Sequence, residues 1–177
     1  MARYPVIYAG QRLTGTLISS IIPDIITKNT TLTRASTTTL TDDPDLVASL
    51  EASAFYHVIF YIHYAALDVS QLQTAWTVPA SASGVRSASG AAWTLAGGAA
   101  TAAAADGGYS RAGVHGYTTA VRYGTRNSAS NQCVAVEESF VSTSSAGTLA
   151  LQWAQGVSNA SPTSLSAGSS LHVRRLA

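Results

Sequence analysis

Charge is what this sequence has least of. Only 11% of its 177 residues are Asp, Glu, Lys or Arg, less than half the usual quarter, and the net charge is +1. Lysine occurs once, at Lys28, and no basic run is longer than Arg174-Arg175. A phosphate-binding surface needs a clustered basic footprint, so nucleic acid is excluded as a partner. The single cysteine, Cys133, rules out an internal disulfide and, within the apolar run Gln132 to Val136, reads as a buried inert thiol. Long hydrophobic runs are also missing. The longest, Phe55 to Leu67, contains two histidines and falls short of the ~20 residues a bilayer requires, so no membrane insertion is expected. Met1 to Tyr8 does not read as a secretion signal.

Catalytic and metal-binding patterns are equally scarce. Gly108-Tyr-Ser-Arg-Ala112 has the outline of a nucleophile elbow but ends on Ala112 where the motif requires glycine. His57, His63, His115 and His172 show no metal-ligand spacing, and His57 and His63 lie about 20 Å apart along an extended strand. Glu137 and Glu138 are adjacent, so a strand sends them to opposite faces. Asp42, Asp43 and Asp45 surround Pro44 and read as a solvated turn without the alternating ligands of a calcium loop. Asn29-Thr-Thr and Asn159-Ala-Ser fit the glycosylation pattern but read as ordinary turns. No cofactor, metal or enzymatic activity is expected.

What the sequence does contain is 46% hydrophobic residues diluted with small, weakly polar ones. A chain of this length buries roughly 70% of its unfolded surface, enough for one self-standing core. Sparse charge predicts that part of the remaining surface is covered by other subunits. From Ser36 onward the hydrophobic period is two, with strands expected over 36–41, 46–51, 54–65, 72–78, 84–94, 114–123, 132–142, 147–154 and 169–176, separated by Gly, Pro, Asn, Asp and Ser turns. This pattern predicts an all-β, antiparallel, jelly-roll-like β-sandwich over 36–177.

Residues 1–35 differ. Leu13, Leu17, Ile18, Ile21 and Ile22 recur at helical spacing, Thr14 can cap, and Pro23 interrupts, which predicts a short helix from Thr14 to Ile22 and then an irregular stretch. The segment is expected to act as a helical or extended attachment device, with those five apolar residues docking on another protein or on the chain's own sandwich. In the strand Tyr56 to Tyr64 the even positions are wholly apolar or aromatic, while the odd ones, His57, Ile59, Tyr61 and His63, are apolar with polar tips. One face should line the core. The other is expected to meet a neighbouring copy, or to lie beneath a local loop. Residues 81–109 are of low complexity around Trp93, and Trp93, Tyr109 or Tyr117 could stack on a sugar ring if exposed.

The run Leu151-Gln-Trp-Ala-Gln155, the turn Asn159-Ala-Ser-Pro-Thr163 and the ending Ser169-Ser-Leu-His-Val-Arg-Arg-Leu176 resemble a β-sandwich domain of virion surface proteins from tailed phages of actinobacteria. The opening Ala9-Gly-Gln-Arg-Leu-Thr14 followed by Leu17 is similar to the start of phage tail and appendage proteins. The resemblance implies a non-enzymatic virion structural protein made in the host cytoplasm and displayed on the particle as a homotrimer, docked on other virion proteins by its N-terminus. A tail-fibre tip or receptor-binding protein, with a host cell-surface glycan as a possible ligand, is the first expectation. A capsid decoration or head-fibre protein is the alternative within that class, and a carbohydrate-binding module the alternative outside it.

Overall fold

The computed structural model describes residues 5, 7–19, 21–92 and 110–177. Its strands are β1 (Asp24–Thr27), β2 (Leu32–Arg34), β3 (Thr41–Leu50), β4 (Ala54–Ala66), β5 (Leu72–Thr77), β6 (Arg86–Ala91), β7 (Ser110–His115), β8 (Val121–Tyr123), β9 (Ser128–Thr143), β10 (Gly147–Gln155), β11 (Thr163–Leu165) and β12 (Ser170–Arg175), preceded by one helix, α1 (Gly15–Ser19). They form two antiparallel sheets. The larger has the order β1-β12-β4-β9-β6-β7, with β11 joining β4 to β2, and the smaller runs β3-β10-β5-β8. The chain passes from β1 across to β3, back to β4, across to β5 and β8, then β9, β10 and β12, the alternation of a jelly roll. The hairpin β6-β7 is added beside β9.

The expected period of two is carried by the longest pair. On β4, Tyr56, Val58, Phe60, Ile62 and Tyr64 point inward, and Val58, Phe60, Ile62 and Tyr64 retain no exposure. They meet Leu149, Leu151 and Trp153 from β10, with Leu72 and Trp76 from β5. Phe60 packs edge-on against Trp76 with ring centroids 4.8 Å apart. Two of the three tryptophans, Trp76 and Trp153, are thus core residues. Gly84 sits at φ +139° because a Cβ there would fall 2.2 Å from the Tyr117 hydroxyl.

The sequence reading needs correction at several places. The helix spans Gly15–Ser19 instead of Thr14 to Ile22; Thr14 does cap it, its Oγ1 accepting the Leu17 amide at 3.3 Å, but Pro23 cannot continue a helix. The stretch after Pro23, expected to be irregular, contains β1, whose four residues pair with Thr27↔Ser170 through Asp24↔Val173 of β12, and β2, which pairs with β11. The junction between arm and sandwich therefore lies between Ile22 and Asp24, not at residue 35. The strand expected over 36–41 starts only at Thr41 and continues to Leu50, with the expected turn present as a bulge over residues 43–46 that Asp43 closes by accepting from the Asp45 and Leu46 amides, buried and not solvated. Pro44 is tolerated because β3 is an edge strand paired only with β10, whose register shifts between Ala150 and Gln152. The strand expected over 114–123 is broken between His115 and Val121, giving β7 and β8 to different sheets.

Asp43 explains why the arm's end is tied down. It is fully buried, and the one lysine, Lys28, reaches it from the loop after β1, its Nζ 2.9 Å from Asp43 Oδ2 and 2.9 Å from Asp45 Oδ2. The Trp153 indole donates to the same Oδ2 at 3.1 Å, and the backbone amides of Asp45 and Leu46 donate to Oδ1. The ammonium occupies the place between the carboxylates that a cation would take. Removing it leaves a buried charge without its partner, a loss of about 3–5 kcal/mol. Lys28→Ala is therefore expected to lower the urea midpoint by that equivalent without changing the slope, whereas deletion of residues 1–19 should leave the midpoint within experimental error. An unchanged midpoint in Lys28→Ala would show the pair to be dispensable.

Candidate functional site

The greatest concentration of chemical groups lies inside the sandwich. Glu137 of β9 accepts from the hydroxyl of Thr74, from Trp76 Nε1 at 2.5 Å, from the Tyr123 hydroxyl at 2.7 Å, and from the Arg86 guanidinium. Arg86 also donates to the carbonyls of Thr74 and Thr119. Glu137 and Arg86 belong to the larger sheet, while Thr74, Trp76 and Tyr123 belong to the smaller one, so the cluster rivets the layers together. Both ionic side chains have no exposure at all. Every acceptor position of the carboxylate is spoken for, and no substrate can reach it, so the cluster is a structural pair and not a catalytic one. Sequence reasoning missed it because its members come from four strands.

Burial also sets the two hydroxyls at the core's edge. Desolvation pushes the Tyr64 and Tyr123 phenols above their ordinary range, and in Tyr123 the neighbouring Glu137 carboxylate adds to the effect. Tyr64 donates to the Gly124 carbonyl at 2.6 Å. Cys133, half-buried, is likewise raised by desolvation, as expected of an inert thiol. Among the described residues no group of three His, Cys, Asp or Glu converges as a metal site.

What remains is surface. The register of β12, β4, β9, β6 and β7 places Phe55, His57, Ile59, Tyr61 and His63 on the outward side of the larger sheet, beside Val134, Val136, Glu138 and Phe140 of β9 and His172 and Arg174 of β12. Phe140 and Val134 are each 53% exposed and Tyr61 37%; Ile59, His57 and His63 are half-buried, and the loop before β12 approaches the His63 ring at Gly168. His57 Nε2 lies 2.5 Å from Glu138 Oε1. Phe140 stacks on His57 at 4.8 Å and on Phe55 at 5.9 Å, both nearly parallel. Parallel rings stacked on one another turn their faces to each other and leave edges for solvent, a poor platform for a sugar ring. Tyr117 is buried and stacked on Trp76 at 5.7 Å, so it offers none either; Trp93 and Tyr109 lie outside the described residues.

The arm forms a second apolar surface. Ile7, Tyr8, Leu13, Ile18, Ile21 and Ile22 are all exposed, six of the fourteen exposed large hydrophobic side chains among the described residues. Leu17 is partly buried. At the root of the arm an open groove of about 600 Å³ runs between the edge strands β1 and β3, lined by Ile22, Ile25, Ile26, Val47 and Val173 with Asp24, Glu51 and Arg175. Of the five expected docking residues, Leu13, Ile18, Ile21 and Ile22 are exposed, Ile22 at the rim of this groove, and Leu17 is partly buried.

Above pH ~10 an unfolded tyrosine loses its proton while Tyr64 and Tyr123 in the fold keep theirs, so the folded state binds more protons and stability falls as pH rises. The slope should be about 1.4 kcal/mol per pH unit for each of the two tyrosines, with the ultraviolet phenolate signal of both appearing only on unfolding. Glu137→Ala, which strands Arg86, should cost about 3–5 kcal/mol in denaturant titration. A phenolate signal from both residues in the intact fold would contradict the sealed core.

Comparison of the chain with family models, with curated proteins and with solved structures returned no match, so its surfaces carry the functional argument.

Proposed function

We propose that this chain is a non-enzymatic structural protein of a phage virion surface, a homotrimeric appendage whose jelly-roll head is displayed and whose N-terminal arm docks it on other virion proteins. The carrying observation is the arm. Six large apolar side chains between Ile7 and Ile22 are open to solvent, ahead of a sandwich that has its own core. Exposing such residues costs roughly 1.5–3 kcal/mol each relative to burying them, which is the driving force of a docking segment. Two further observations favour a structural role. The buried ionic groups are consumed in joining the sheets, and the outer sheet face carries few charges for its width.

A tail-fibre tip of receptor-binding type is the primary reading, with a capsid decoration or head-fibre protein as the alternative built on the same head and arm. A carbohydrate-binding module would need an aromatic face presented flat to solvent; Phe55, His57 and Phe140 stand stacked on one another, and Tyr61 meets His172 edge-on. Particles assembled with a chain lacking residues 1–19 are expected to lack the head, although the truncated protein melts like the full chain. Incorporation of the truncated chain at the full level would overturn the arm's role, and immunogold labelling of intact particles would separate tail from capsid.

A further inference from the structure

We infer that the outward face of the larger sheet, centred on β4 and β9, is the surface through which copies of this chain bind one another. The inference deepens the proposed multi-copy assembly by naming its contact, and it is independent of what the arm docks on. The face is broad. Six strands at about 4.8 Å spacing, between about 13 and 53 Å long at 3.3 Å per residue, offer on the order of 800 Å². Shared between the two neighbours of a trimer, that is roughly 400 Å² per contact and about 800 Å² covered on each copy, the total that a partner gives to an interface of standard size. An isolated monomer would leave Phe140, Val134, Tyr61, Val114 and Ile25 exposed on one side of one sheet.

The charges on this face identify the occupant as a second copy. On the described face they are the His57–Glu138 pair and Arg174, and they are unevenly divided: Arg174 and His172 stand on β12 on one side of β4, and Glu138 stands on β9 on the other. A neighbour turned by a third of a revolution about an axis parallel to β4 sets its β9 side against the β12 side of the first copy, so carboxylate meets guanidinium and the two halves of the face serve the two neighbours of a trimer. Beyond β9 the outward residues of β6 and β7 are Ser87, Ser89, Ala112 and Val114, mostly small enough for close approach of a second backbone. His57, Ile59, Tyr61 and His63 lie at the centre of this surface, and β9 supplies the part that the β4 pattern alone did not reveal.

The test is the solution mass of the full chain and two variants by light scattering across a dilution series. The wild type is expected at about three times 18.2 kDa. Phe140→Glu should raise the dissociation constant at least tenfold while retaining the wild-type melting transition, because Phe140 contributes nothing to the inner core. Glu138→Arg should dissociate the assembly similarly, and Arg174→Glu in the same chain should restore it. A wild type that is monomeric throughout would overturn both this contact and the multi-copy reading. A wild type that assembles, with Phe140→Glu assembling equally well and deletion of residues 1–19 dissociating it, would overturn this contact alone and assign the assembly to the arm.

Discussion

The sandwich depends on charge hidden between its sheets. Burying an ion pair is costly, and two apolar residues of similar volume would often hold the layers as well. What Glu137 adds is specificity: its carboxylate must receive Arg86 from its own sheet and Thr74, Trp76 and Tyr123 from the other, and a one-residue slip of β9 would send it to the outer face. Such a constraint matters in a chain built largely from Ala, Ser, Thr and Gly, whose small side chains specify register weakly. Lys28 performs the same office at the sandwich's other edge, holding the segment after β1 to β3 and Trp153. Four of the nineteen charged residues, Lys28, Asp43, Arg86 and Glu137, are spent inside, which thins an already sparse outer charge further.

That distribution links the core to the surface. Glu137 and Glu138 are neighbours, yet one is sealed and the other stands beside His57 in the open. The same alternation on β4 sends Phe60 into the core and Tyr61 out of it. Because both sides of the central strands are apolar, the sheet has one face satisfied by the fold and one that is not, and the second face is what a monomer lacks a use for. The arm is apolar for a different reason: it has no opposite layer at all until β1 pairs with β12.

Local pattern revealed the elements it could reach. The alternation of Tyr56 to Tyr64, the turn at Asn159 to Pro162 and the Thr14 cap were legible because each is decided within a few residues. The aspartates around Pro44 were read as a solvated turn; the local turn is there as a bulge in β3, but the pairing of Asp43 with Lys28, fifteen residues earlier, buries it. Arg86 and Glu137 gave no signal for a comparable reason, since fifty-one residues separate them and a lone arginine in a Ser/Ala-rich strand looks solvated. The break at Thr118-Thr119 went unseen because Val114 and Val121 share a plausible period while belonging to different sheets. Of the surface, the β4 half was visible in the sequence and the β9 half was not, since only pairing brings Phe140 beside His57.

The central claim is that the core is closed within one chain while the outer face is closed only by another. Hydroxyl-radical footprinting of the full-length protein at increasing concentration reads both side-chain environments at once. Oxidation of Phe140 and Tyr61 should fall steeply with concentration, while Trp76 and Trp153 stay protected throughout. Labelling of Phe140 and Tyr61 that is the same at every concentration would contradict the account.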